Sequence, residues 1–404
     1  TEVRFTSGST VYRYPIVGGL QASMITPFAG KVVIGDTSQS SQILLSEWVL
    51  SDWRGGMLVE DMDESSQQDR FWFASLDTRF HKQLILQPGY ATTTGVISSV
   101  GSGAATRLVF QQYGGSIFLA TEDATNPIYS SNVGANTWAS ADTGGGKPYS
   151  ACTLLQSGTR WLIFGTDAGY TKYDGTTWTN VASSAGTIPE ANLVCVHDNT
   201  VYALDDVGRL WKATALSAAT WATKAYLPYQ TASVPPAWQL IVFQNPNGDP
   251  ALHAITEGGI YWYDEDADNW RETPAQWPYT YSTMQVGRRA AVWRSDLYVL
   301  ANLDVLKYNV STITNIGLNR DDGPPLDLGS QPLHSVVPVY NWLAVASGAL
   351  IWLWDGVGWH TLSDTLFDPV CLFTGTAATG MYLYAVDTTK GVSMWTLPSA
   401  NAFS

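Results

Sequence analysis

The sequence predicts an all-β protein, a β-propeller of about seven four-stranded blades, on three observations. Only 14% of its 404 residues are charged, while 18 Trp, 20 Tyr and 36 Gly supply flat apolar side chains and frequent turns. One hairpin recurs: TKYDGTTWTN (171–180) is echoed by YWYDEDADNW (261–270) and IWLWDGVGWH (351–360). Aligned on the hairpin aromatic, the unit repeats at Trp138, Trp178, Trp221, Trp270, Ile313, Trp359 and Trp395, with spacings of 36 to 49 residues. A repeat of roughly 40–50 residues is the length of one propeller blade.

Taken in order, residues 1–80 lack the repeat and read as an N-terminal arm or accessory β layer. Trp48, Trp53, Trp72 and Phe73 equip it to pack on a blade or on another subunit. The propeller is expected over 81–404, with blades from about residue 106. Each unit opens with a short apolar run: TRLVFQQY (106–113), ACTLLQS (151–157), NLVCVHD (192–198), WQLIVFQ (238–244), RAAVWRS (289–295), SVVPVYN (335–341) and VCLFTGT (370–376). A second run with aromatics follows, then a third leading into the hairpin, and a fourth beginning at the aligned Trp. Three or four short strands cannot bury both faces alone, but stacked radially they can. The last unit, ending in GVSMWTLPSANAFS, has no fourth strand of its own. An exposed edge is avoided if a segment from before the first unit supplies it, and HKQLILQPG (81–89) is the candidate.

Charge and motif content narrow the chemistry. A net charge of −14 and a pI near 4.6 repel phosphate, so tight nucleic-acid binding is not expected. Cys152, Cys195 and Cys371 cannot all pair within the chain and lie in no metal-type spacing. All three fall in first runs, so they read as buried free thiols. The opening residues lack the charged-then-apolar pattern of a signal peptide. SVVPVYNWLAVASGALIWLW (335–354) is twenty residues without a charge. Its Pro338, Asn341 and Ser347-Gly348, and its β-branched and aromatic content, fit strand, turn and strand, so no membrane insertion is expected.

No residue pattern announces catalysis, a cofactor or a metal. TGGGKP (143–148) departs from a phosphate loop at Ala141 and Pro148 and reads as a blade-to-blade loop. In DEDADN, Asp264, Asp266 and Asp268 have the one-three-five spacing that hard cations use. The twelfth position is Ala275, however, and a solvated hairpin tip is the simpler reading. SSNVGANTW (130–138) resembles the sialidase Asp-box, with Asn132 in place of the Asp, and that box is structural in its family. A glycosidase would need two convergent carboxylates, which nothing in the spacing identifies. Aromatic faces beside Asn and Asp also suit sugars, so a carbohydrate-binding, lectin-like propeller is the alternative to a structural role.

The Tyr-Asp-turn-Trp hairpins resemble those of kelch-like propellers, although the diagnostic Gly-Gly is missing from most units. A second resemblance lies at 45–89. Trp53-Arg54-Gly55-Gly56, the aromatic stretch Phe71–Ser75, Leu76-Asp77-Thr78-Arg79 and the apolar Leu84–Pro88 are similar to a segment that precedes a large propeller in bacteriophage virion proteins. That resemblance implies a non-enzymatic tail or neck component, located in the virion and assembled in multiple copies. Its partners would be other virion proteins and copies of itself, with host surface glycans as a further class.

Overall fold

The computed structural model describes the strands Glu2–Ser7, Thr10–Pro15, Leu76–Asp77, Ile85–Leu86 and Thr93–Gly95, and then residues 107–396. Within 107–396 the stretches 123–124, 126, 229–236, 257, 275–288, 302–303, 318–332, 348–349, 357, 365–369 and 388–390 lie outside the description. The described residues contain strands and turns and no α-helix, and none forms a helix long and apolar enough to cross a membrane.

Seven four-stranded antiparallel sheets follow one another along the chain. Blade 1 is 108–143, blade 2 is 148–182, blade 3 is 193–226 and blade 4 is 239–272. Blade 5 is 290–315, blade 6 is 333–364, and blade 7 combines 371–396 with 93–95. The first strands are Leu108–Tyr113, Pro148–Gln156, Leu193–His197, Gln239–Gln244, Ala290–Trp293, Leu333–Val339 and Cys371–Ala377. Each approaches the first strand of the next blade, and the seventh approaches the first, so these strands form the inner wall of a closed ring. The chain is a seven-bladed β-propeller.

The apolar core is divided into seven wedges, one for each pair of adjacent blades. Strand alternation sends successive side chains to opposite blade faces, so every blade contributes to two wedges. Between blades 2 and 3, for example, Ile163 and Tyr170 meet Val201, Trp211 and Trp221. Between blades 7 and 1, Phe373 stacks on Phe110 at 5.4 Å and Trp138 meets Tyr384 edge-on at 6.4 Å. The hairpin tryptophans therefore lie in the wedges, where large rings fill the gap that widens away from the axis. Trp395 is also buried, but within the third strand Gly391–Thr396 and not at the start of a fourth. Aligning it with the other hairpin aromatics displaced it by one strand.

The ring closes as expected in kind but not in place. The outer strand of blade 7 is Thr93–Gly95, which pairs with Val392–Met394. Ile85–Leu86, inside the expected closing segment 81–89, pairs instead with Leu76–Asp77. Compactness divides the chain at Thr1–Gly89 and Tyr90–Ser404, so closure is complete within the second unit. Glu2–Ser7 and Thr10–Pro15 form an antiparallel hairpin in the first. Trp48, Trp53, Trp72 and Phe73 lie outside the described residues. The uncharged stretch 335–354 lies within three consecutive strands of blade 6, with a turn at Tyr340-Asn341; the expected Ser347-Gly348 turn falls on 348–349, outside the described residues.

Candidate functional site

None of the seven inner strands contains Asp, Glu, Lys or Arg. Among the described residues, charges adjoin the inner strands only at their ends, at Arg107, Lys147 and Arg289 before them and at Asp198 and Arg294 after them. Arg107 reaches Glu122 at 3.8 Å and lies 3.9 Å over the ring of Tyr149, while Lys147 pairs with Glu122 at 2.9 Å. Next along this rim, burial and the neighbouring Asp206, Asp167 and Asp205 push the Glu190 carboxyl up from its ordinary range. Asp205 is also raised by burial, although it accepts bonds from Val207 N, Arg209 N and Trp211 Nε1. Glu190 and Asp205 were not legible in the sequence because their neighbours come from separate blades and loops.

Arg289 is different. It is 6% exposed, and its Nη1 donates to the Leu333 carbonyl of blade 6 at 3.0 Å. Its Nε is buried with no partner among the described residues. Burial alone lowers its pKa to about 10. A cleft of about 440 Å³ opens at the other ends of the inner strands, lined by Gln111, Gln112, Thr153, Leu155 and Arg160 of blades 1 and 2. Leu155 is well exposed there.

A further set of polar side chains binds one blade to the next. Gln112 Nε2 donates to Thr376 O, and its Oε1 accepts from Thr376 N, across blades 1 and 7. Tyr113 donates to Arg160 O between blades 1 and 2. Ser150 donates to Asn192 O and accepts from Val194 N between blades 2 and 3, where Lys172 Nζ also caps Leu216 O. Gln239 grips both backbone groups of Ala290 between blades 4 and 5. Arg294 donates to Asp355 O and Asn341 O between blades 5 and 6. Ser335 accepts from Leu372 N between blades 6 and 7. Ser150 and Ser335 both sit at irregularities in the register of an inner strand, which turn a side chain toward the next blade.

The acidic hairpin of blade 4 clasps blade 3. Glu265 pairs with Lys212 and accepts from Tyr202 at 2.9 Å, and Asp268 accepts from Ala225 N and from the Tyr263 hydroxyl. Glu265 holds the Lys212 ammonium up to about 12, and burial raises the Tyr202 phenol to about 12. Asp264 turns to Arg271 at 2.7 Å. The one-three-five acids thus diverge to different partners, and no group of acids, His and Cys suited to a metal occurs among the described residues. The tip is solvated as expected, with residues 265–269 exposed, and Glu265 and Asp268 in addition clasp blade 3.

The other motifs also resolve into packing. Residues 143–148 join the outer strand of blade 1 to the inner strand of blade 2, as expected. In SSNVGANTW, Gly134 N donates to Tyr384 OH, Asn136 donates to Val392 O, and Trp138 Nε1 donates to Asn136 Oδ1. This Asp-box-like turn fastens blade 1 to blade 7. None of the three cysteines is in a disulfide; Cys152 and Cys371 are buried, whereas Cys195 is only half-buried. Burial, with Cys195 nearby, pushes the Cys152 thiol well up, away from the reactive thiolate.

No protein-family model matches the chain, and no curated protein matches it in sequence. Solved structures match it in fold. Virginiamycin B lyase from Staphylococcus aureus superposes with a TM-score of 0.53 at 9% identity, over 77% of this chain and 100% of the lyase. The extracellular domain of BT4673 from B. thetaiotaomicron gives 0.50 at 11% identity, over 76% of this chain. This chain spans only 39% of that domain's length. BBS1N, solved in complex with ARL6DN, gives 0.51 at 11% identity, over 78% of this chain and 99% of BBS1N. At these identities the likeness concerns the propeller fold alone.

Proposed function

We propose that this chain is a non-enzymatic structural protein of a bacteriophage virion, a tail or neck component working in multiple copies. The observation that carries the proposal is that all seven blade interfaces are crossed by hydrogen bonds from side chains. At the interface of blades 3 and 4 these are the bonds of Tyr202, Glu265 and Asp268. A net-favourable hydrogen bond contributes only about 1 kcal/mol, so single clasps matter little. Distributed around a closed ring, they oppose the shearing of any one blade, as a part under load in an assembly requires. The likeness of residues 45–89 to virion proteins supports the same reading from the sequence. Native mass spectrometry and quantitation of purified particles test it. The chain should occur in fixed copy number in virions and as an oligomer when isolated. A monomer absent from particles would sink the proposal.

A glycan-binding reading is favoured by one corner of blade 3. Tyr226 is 51% exposed, with the Arg209 guanidinium 4.9 Å from the centre of its ring. An exposed aromatic ring suits stacking on a sugar. Glycan-array binding that disappears in Tyr226→Ala would support this alternative.

A further inference from the structure

We propose that the cleft between blades 1 and 2 docks the free carboxyl-terminal end of a peptide whose last side chain is apolar. This inference is independent of the virion proposal, because it concerns binding by the isolated chain. It starts from a break in the repeat. In six of the blades a two-residue turn joins the first two strands, so corresponding positions follow from the register. The second residue of the second strand is Ile117, Val201, Leu297, Leu343 or Met381 in blades 1, 3, 5, 6 and 7. Each packs into the wedge toward the preceding blade, and the first four are fully buried. In blade 2 the residue is Arg160, which is exposed and belongs to no ion pair among the described residues. A matching change stands across the same interface. Third from the end of the first strand, where the other five blades place Leu154, Cys195, Ala291, Val337 and Gly375, blade 1 places Gln111.

Both polar substitutes face the wedge between blades 1 and 2. Gln111 lies two residues from Val109 and from Tyr113, and Arg160 two from Leu162, all of which pack there. Space is left where the apolar plug is missing, and the cleft of about 440 Å³ opens at that corner. Ligand pockets span roughly 300–1,000 Å³. Paired departures from a repeat, with room between them, mark a binding site and not a packing solution. The lining selects the ligand. Arg160 stands opposite Leu155 in the strand pair, so a guanidinium and an exposed apolar side chain start about 5 Å apart on one face. A ligand that engages both carries a carboxylate and an apolar group on one carbon, as the last residue of a peptide does. The guanidinium grips that carboxylate through two parallel bonds. Thr153, two residues before Leu155, and Gln111 bring a hydroxyl and an amide for the peptide groups that precede it. A run of acidic residues is a poorer fit, because a chain of net charge −14 repels it more than a single carboxylate.

The test is calorimetric titration of the full chain with the peptide acetyl-Gly-Gly-Leu. Its carboxyl-terminal amide and acetyl-Gly-Asp-Gly amide, which holds its carboxylate on an internal side chain, are the references. The free acid should bind saturably, and both references at least about tenfold more weakly. Arg160→Ile gives blade 2 the residue of blade 1, so it should fold and bind acid and amide alike. Leu155→Ser changes only an exposed side chain and should weaken the acid about threefold or more. It also decides the matter if Arg160→Ile does not fold. A wild type that ignores the acid, or takes the amide or the internal aspartate equally well, would overturn the proposal. Undiminished binding of the acid in Arg160→Ile or in Leu155→Ser would overturn it equally.

Discussion

Blade 2 and blade 5 turn their outer hairpins on the same plan with different residues. In blade 2 the turn is Tyr173-Asp174-Gly175-Thr176-Thr177-Trp178, and in blade 5 it is Tyr308-Asn309-Val310-Ser311-Thr312-Ile313. Asp174 Oδ1 accepts from Thr176 N, Thr176 Oγ1 and Thr177 N; Asn309 Oδ1 accepts from Ser311 N and Oγ and Thr312 N and Oγ1. Tyr173 donates to Gly175 O, and Tyr308 to Val310 O. What differs is the residue at positive φ, Gly175 at 100° against Val310 at 79°, and the aromatic beyond it. The comparison separates what the turn requires from what the wedge requires. A side-chain oxygen that gathers the turn's donors is kept, whereas the glycine and the tryptophan are replaceable. The substitute is a β-branched residue in a conformation that costs it about 1–2 kcal/mol.

The largest expected difference is at the aromatic. Trp178 stacks on Tyr173 at 4.5 Å and on Phe164 at 6.4 Å within its own blade, and meets Phe118 edge-on across the blade 1 interface. Trp178→Ala should therefore lower unfolding stability by about 3 kcal/mol in urea titration, and Ile313→Ala by about 1. Equal losses would mean that the wedge does not distinguish them. Next is Gly175→Val, which places the blade 5 residue in blade 2. A Cβ there would lie 2.8 Å from the Tyr113 hydroxyl, the group that bonds Arg160 O across the interface. The expected loss is about 2–3 kcal/mol, strain and a displaced clasp together. The reverse change, Val310→Gly, should stabilise the chain by about 0.5–1 kcal/mol, because relief of strain outweighs the added freedom of the unfolded state.

Between the two turns, the smallest expected difference is in the response to acid. Bonds from Thr177 N, Thr176 Oγ1 and Thr176 N hold the Asp174 carboxyl below its ordinary 3.8, whereas Asn309 cannot titrate. A depressed folded-state pKa gives stability that is present above the unfolded value and lost as pH falls through the folded one. Asp174→Asn should thus behave like the wild type at pH 7 and flatten the loss of stability below about pH 4. An unchanged acid slope would remove Asp174 from that loss. A separate loss should begin at higher pH. Burial lowers His253 to about 4 from 6.5, so stability falls as pH drops between those values while only the unfolded chain takes up the proton. His253→Phe should remove that slope, which amounts to about 3 kcal/mol.

The ring was legible because its period is written in local patterns. All seven inner runs coincide with inner strands, and the cysteines, which played no part in the alignment, fall on them. The closing strand was not legible in detail. HKQLILQPG carries a stronger apolar pattern than Thr93-Thr94-Gly95, but closure needs only backbone donors and acceptors along an open edge, and three residues supply them. Trp395 lies on the third strand of a blade that has no fourth strand of its own, as expected, so only its place in the spacing series is out of register with the other hairpin aromatics. DEDADN shows another limit. Its spacing suggested one shared ligand, but partners such as Lys212 and Ala225 come from blade 3, which spacing within a loop cannot reveal. The same holds for Arg289. Its arginine is plain in RAAVW, while its isolation depends on a carbonyl of the next blade, Leu333.

The pairing of Gly95 with Val392 joins positions roughly 300 residues apart, near opposite ends of the ring sequence. A growing chain makes one half of this latch first and must keep it available until the last blade has been synthesised. Six blades can assemble from neighbouring contacts, but the seventh completes only when the two ends meet. Nascent or prematurely terminated chains therefore expose an open strand edge, the feature by which one such chain could recruit another.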